Sequence, residues 1–159
     1  MDWQLLLTVL HESIFVLVVF GSFLILGLWK GRYTLVTIIF SLYLAVLLIN
    51  EFPYLDKIIA LSPFESAVTQ TVFFIILTLV SFFLFRRHIP GDDHEKTFEN
   101  FPVKALLAIA ATIVIMAFTY NVLPLAEFFD SNTPLEKLFA NENYFFWWLL
   151  LPLIVLFFI

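Results

Sequence analysis

Five stretches of this chain carry no ionisable acid, base or histidine: residues 13–29, 33–49, 67–85, 105–122 and 144–159. Each is 16 to 19 residues long. A helix needs roughly 20 apolar residues to cross a hydrocarbon core about 30 Å thick. The blocks are continuous and do not alternate or form amphipathic stripes, so they read as membrane helices. Barrel strands would be shorter and dyad-patterned. The first helix is expected to extend outward from its apolar core to cover 5–29. The fold class is therefore all-α, a polytopic membrane bundle of about five transmembrane helices.

Composition agrees. Hydrophobic residues make up 62 % of the 159, charged residues 13 %, and phenylalanine alone contributes 21. A soluble domain carries roughly a quarter charged residues, and one this small leaves much of its surface exposed. The chain has no cysteine, which excludes disulfides, thiolate chemistry and Cys-based metal sites. No secretory signal is expected, since no Lys or Arg precedes Lys30 and no small-residue cleavage site follows.

Charge is sorted along the chain. Six of the eight Lys and Arg (Lys30, Arg32, Arg86, Arg87, Lys96, Lys104) fall between the first and second or the third and fourth blocks. Nine of the thirteen acids (Asp2, Glu12, Glu51, Asp56, Glu65, Glu127, Asp130, Glu136, Glu142) fall on the opposite side. Positive charge marks the cytoplasmic side. The expected localisation is the plasma (inner) membrane, multi-pass, with the N-terminus outside and the loop 87–103 cytoplasmic. Trp3, Trp147 and Trp148 fall at the outer interface, and Trp29 and Tyr33 at the inner one.

Two outer connections share a pattern at an offset of 71 residues. Asn50, Pro53, Pro63, Glu65 and Phe74 correspond to Asn121, Pro124, Pro134, Glu136 and Phe145, with Asp56 matched by Glu127 and Ser62 by Thr133. A helix ends near each asparagine, and the proline that follows cannot continue it normally. An amphipathic segment should then lie on the membrane surface. In the first copy Tyr54, Leu55, Ile58 and Ile59 share a face opposite Asp56 and Lys57. In the second, Leu125, Ala126, Phe128 and Phe129 alternate with Glu127 and Asp130. The next helices are expected to start at Pro63 and Pro134, with a hydroxyl cap before the proline and a glutamate reaching back. This implies one membrane domain, 1–159: helix 1 at 5–29, repeat A at 33–86, the loop 87–103 and repeat B at 104–159. The copies would be parallel repeats. Two hairpins could acquire the same stops independently, but the ungapped match at seven positions favours a true repeat.

Polar groups at membrane depth are default functional candidates. His11 and Glu12 sit at the outer part of the first segment and are merely interfacial if the bilayer begins at Ser13. Asn50, Glu51 and Asn121 end their helices, where capping competes with lining a vestibule. Gln70, with Thr69 and Thr71, opens the third segment, where interhelix hydrogen bonding is the simpler role. Asp92, Asp93, His94 and Glu95 lack helical ligand spacing and read as a solvated loop tip rather than a metal site. Gly27 and Gly31 form a small-xxx-small pair suited to helix packing or to a tight turn. There is no nucleophile–base set, no Gly-rich phosphate loop, no charge near the middle of a span and no basic surface for nucleic acid. No cofactor or metal is expected.

Gly27-Leu28-Trp29-Lys30-Gly31-Arg32-Tyr33-Thr34-Leu35 resembles the first cytoplasmic turn of the CvpA (colicin V production) family of bacterial inner-membrane proteins. The order of elements over about 2–127 is also similar: two helices, an outer amphipathic segment, a third helix, a cytoplasmic loop and a fourth helix. The resemblance implies a bacterial membrane setting and a link to secretion or envelope homeostasis. Three functions follow as expectations. The first is a non-catalytic scaffold or assembly subunit whose partners are the bilayer and other membrane subunits or copies of itself. The second is a small oligomeric transporter or channel with a site at the outer ends of the repeat helices. The third is a lipid-modifying enzyme using His11 and Glu12 as acid and base.

Overall fold

The computed structural model describes residues 3–88, 100–121, 134–139 and 141–159; within these, the side chains of 3–9, 11, 12, 134–136, 142 and 143 lie outside the described set. Among the described residues are seven helices: α1 Trp3–Lys30, α2 Arg32–Glu51, α3 Leu55–Leu61, α4 Ser66–His88, α5 Phe101–Asn121, α6 Pro134–Phe139 and α7 Glu142–Phe158. No strand occurs among the described residues. Four helices (α1, α2, α4 and α5) are long and apolar enough to cross a membrane, and α7 is a shorter apolar helix of 17 residues. The chain is an all-α helical bundle and, by these four spans, a multi-pass membrane protein.

A single residue separates α1 from α2. Gly31 has φ 85°, a left-handed conformation open to glycine at little cost. Its N–H donates to the Gly27 carbonyl at 3.0 Å, closing the end of α1. Gly27 then lets α2 approach, since a Cβ there would lie 2.6 Å from Leu35 Cδ1. Trp29 and Tyr33 carry the flanking cations over their rings, Lys30 at 5.3 Å and Arg32 at 5.0 Å.

The centre of the bundle is α5, which packs against α1, α2, α6 and α7. Its inward positions are small: Ala108, Ala110, Ala111 and Ala117 are all 0 % exposed. Without a hydrophobic drive between helices in lipid, close backbone approach over small residues is what holds them. Leu35, Ile39, Leu42, Ala45 and Ile49 of α2 complete this core with Phe74 of α4.

Helices α2 and α4 form the most extensive pair in the molecule. Two aromatic contacts tie them, Phe40 with Phe85 at 6.1 Å and Phe52 with Phe73 at 5.1 Å, and the order of the pairs makes the two helices antiparallel. The pairing sets Arg32 at the same end as Arg86, Arg87 and His88, and Glu51 at the end of Asp56 and Glu65. Between them α3 buries no residue, with Leu55, Ile58 and Ile59 half-buried and Asp56 and Lys57 exposed. Tyr54 departs from the expected apolar face: it is exposed, with Lys57 Nζ 5.2 Å over its ring.

Two helix starts differ from expectation. α4 begins at Ser66, not at Pro63. Ser62 is extended (φ −75°, ψ 139°), and its hydroxyl accepts from the Phe64 N–H at 3.2 Å and from the Thr69 hydroxyl at 2.7 Å. That local turn takes the place of the proline-led helical turn, and the Glu65 carbonyl accepts the first helical bond from Thr69. In the second connection a helix does begin at Pro134 but ends at Phe139, and α7 starts afresh at Glu142. The Asn141 carbonyl accepts from Tyr144 and Phe145 at 3.0 and 3.2 Å, marking the corner. The loop 87–103 is also shortened at both ends, since α4 reaches His88 and α5 opens at Phe101. Pro102 fits the first turn of α5, where its missing N–H costs nothing. The segment 124–130, expected to be amphipathic, and the 92–95 cluster lie outside the described residues.

Candidate functional site

Hydroxyls inside the spans are mostly turned back onto their own helix. Ser22, Thr34, Thr37, Ser41, Thr71, Thr78, Thr112 and Thr119 each donate to the carbonyl four residues earlier, at 2.6–3.0 Å. In hydrocarbon an unsatisfied polar group is expensive, and this i−4 bond is the nearest remedy. Thr69 donates to the Ser62 hydroxyl instead, and two residues deeper in the bundle also break the habit. Ser81 on α4 is 1 % exposed, and its Oγ has no hydrogen-bond partner. Tyr43 on α2 donates across the bundle to the Leu149 carbonyl of α7 at 2.5 Å. Pro152 follows within the same helix. Proline removes one helical N–H and crowds the preceding turn, and the phenol adds a donor within that turn. Its ring sits edge-on to Phe118 at 5.9 Å, tying α2, α5 and α7 together.

At the end of α5 opposite Lys104 the structure builds a second knot. Asn121 Nδ2 donates to the Ala117 carbonyl at 2.9 Å and to the Phe139 carbonyl at 2.6 Å. Tyr120 stacks on Phe139 with ring centroids 6.2 Å apart, and Trp148 approaches Phe139 at 4.7 Å. Trp148 Nε1 donates to the Leu138 carbonyl at 3.0 Å. Asn121 thus locks α6 onto α5, and Trp148 locks it onto α7.

The sequence candidates do not converge. Asn50 and Glu51 are exposed at the end of α2. Gln70 is half-buried on α4 and has a polar partner. His11 and Glu12 lie on the backbone of α1, but their side chains are outside the described set. Gly27 and Gly31 meet at the α1–α2 turn. Among the described residues no group of three His, Asp or Glu could hold a metal ion. Lys104, one of the cations between the third and fourth uncharged blocks, is fully buried at 0 % exposure in the first turn of α5.

A concavity lies against two of the spans. It has a volume of about 340 Å³ between α1 and α5, with Val16 and Phe20 on one wall and Thr112, Ile113 and Met116 on the other. Phe139 of α6 also lines it. It presents no polar surface, because the Thr112 hydroxyl is turned to Ala108.

No family model matches this chain. No curated protein and no solved structure matches it either. Its chemistry follows from the atoms it presents. The Asn121 amide is engaged twice, most span hydroxyls bond their own helices, and the concavity is hydrocarbon throughout. Such an arrangement packs helices together.

Proposed function

We propose that the chain is a membrane scaffold or assembly subunit without catalytic activity, which packs against other membrane subunits or copies of itself. The observation that carries this reading is the outward surface of α1 and α4. Only 11 % of the α1 span and 17 % of the α4 span are buried within the chain, against 56 % of α5. Leu17 and Ile25 on α1, and Leu79 and Phe83 on α4, face outward. Helices apolar all round suit either lipid or another helix. The CvpA-like inner turn supports a setting in a bacterial inner membrane, with a role in envelope homeostasis or secretion. Charge sorting supports an N-terminus outside and a cytoplasmic 87–103.

The transporter reading needs Asn50 and Asn121 free to meet a solute, and Asn121 is committed to holding α6. Photo-crosslinkers placed at Leu17, Ile25, Leu79 and Phe83 in native membranes are expected to give discrete adducts with protein. Smears from lipid alone at all four positions would overturn the scaffold reading. Solute flux in liposomes, lost on Asn50→Ala, would replace it with transport.

A further inference from the structure

Helix α7 is unevenly fastened along its length. Its early turns are held by directional contacts. The Asn141 carbonyl accepts from Tyr144 and Phe145 at its start. Trp148 donates to the Leu138 carbonyl and lies against Phe139. Tyr43 of α2 donates to the Leu149 carbonyl. Among the described residues, no side-chain hydrogen bond or ring contact joins 153–159 to another helix. Apolar packing alone holds that stretch. Val155 and Leu156 rest on the core that includes Leu107 and Ala108, while Leu153, Ile154, Phe157 and Phe158 face outward.

The boundary between the two parts is Pro152, fully buried within the helix. It offers no N–H to the Trp148 carbonyl, and its ring crowds that group. Proline is where a helix kinks most readily. In lipid it is tolerated when a neighbouring helix satisfies the backbone groups it frees. Here the neighbour is α2. Helix α7 packs along α5 and α6, and the Tyr43 phenol reaches it from α2 beside the Phe118 ring. The phenol thus grips α7 on the turn that the proline leaves short of a donor.

We propose that α7 is a hinged helix, with Pro152 as its pivot and the Tyr43 hydroxyl as the latch that holds the arm 153–158 against α5. With the latch bonded, Val155 and Leu156 close the core. With the latch released, the arm swings on Pro152 and opens the core beside Leu107 and Ala108, while the turns up to Trp148 stay in place.

Double electron–electron resonance on the full chain in liposomes tests this, and the chain has no cysteine of its own to interfere with labelling. Spin labels at Phe83→Cys and Phe157→Cys, both exposed positions, span the bundle from α4 to the arm. With Tyr43 and Pro152 intact they should give one distance. A bend of about 20° over 153–158, about 9 Å of helix, displaces the tip by about 3 Å. Tyr43→Phe should therefore add a second distance, shifted by at least that much. Tyr43→Phe combined with Pro152→Ala should return to one distance, because alanine restores an N–H for the Trp148 carbonyl. A label pair before the pivot, Phe83→Cys with Phe146→Cys, should keep one distance in every variant. An unchanged distribution in Tyr43→Phe would overturn the latch. A second distance that persists with Pro152→Ala would overturn the pivot, and Tyr43 would then act through packing alone. A shift in the Phe146 pair would mean that α7 moves or unfolds as a whole, and would overturn the hinge as well.

Discussion

The connection between α2 and α4 and the connection between α5 and α7 carry similar stops in sequence and are built differently. In the first, α3 rests on the bundle and buries nothing. Its corner is held by a small hydroxyl pair, Ser62 and Thr69. In the second, α6 is driven inward: Phe139 is 7 % exposed and gripped by Tyr120, Asn121 and Trp148. Matched positions therefore do unmatched work. Asn50 is exposed at the end of its helix, and Asn121 ties two helices together. Shared punctuation sets where helices stop, and the residues between the stops decide whether the connection floats or docks.

The sharpest way to break this contrast is to remove the docking residue. Phe139→Ala should destabilise the protein by about 3 kcal/mol, at the lower end for loss of a buried phenylalanine. Leu61→Ala on α3, where the side chain is 85 % exposed, should stay within about 0.5 kcal/mol. Thermal unfolding in micelles followed by circular dichroism reads both; equal losses would mean that the two connections are held alike.

The asparagines give a smaller, matched comparison. Asn121→Ala breaks the tie to the α6 carbonyl and should cost about 1–2 kcal/mol. Asn50→Ala should fall within about 0.5 kcal/mol. If the order reversed, the vestibule reading of Asn50 would regain support. The smallest expected effect is at Ser81. Its hydroxyl is buried without a partner, so Ser81→Ala removes an uncompensated group and should leave stability equal or up to about 1 kcal/mol higher. A clear loss would reveal a partner that the α2–α4 pair conceals.

Much of the architecture could be read from residues alone. The uncharged blocks at 33–49, 67–85 and 105–122 fall within or nearly within α2, α4 and α5, because the absence of charge over a bilayer length has few other meanings. Helix faces were far less legible. In a span that is apolar all round, periodicity does not mark the packed side, so Tyr43, Phe139 and Trp148 looked like any other aromatic residues. One signal was present and unused: Ala108, Ala110, Ala111 and Ala117 concentrate small residues in one block, the usual sign of a helix that others crowd against. Ser62 misled because a hydroxyl before proline suits both a helix cap and an isolated turn, and only the position of Thr69 decides between them.

The one-residue turn at Gly31 also constrains how the chain can change length. Loops absorb insertions because spare backbone can bulge outward, and between Lys30 and Arg32 there is none to spare. An extra residue there would have to come out of a helical turn of α1 or α2, rotating Gly27 away from Leu35. This end of the molecule should therefore tolerate substitution better than insertion or deletion, because a length change would alter the register of α1 against α2.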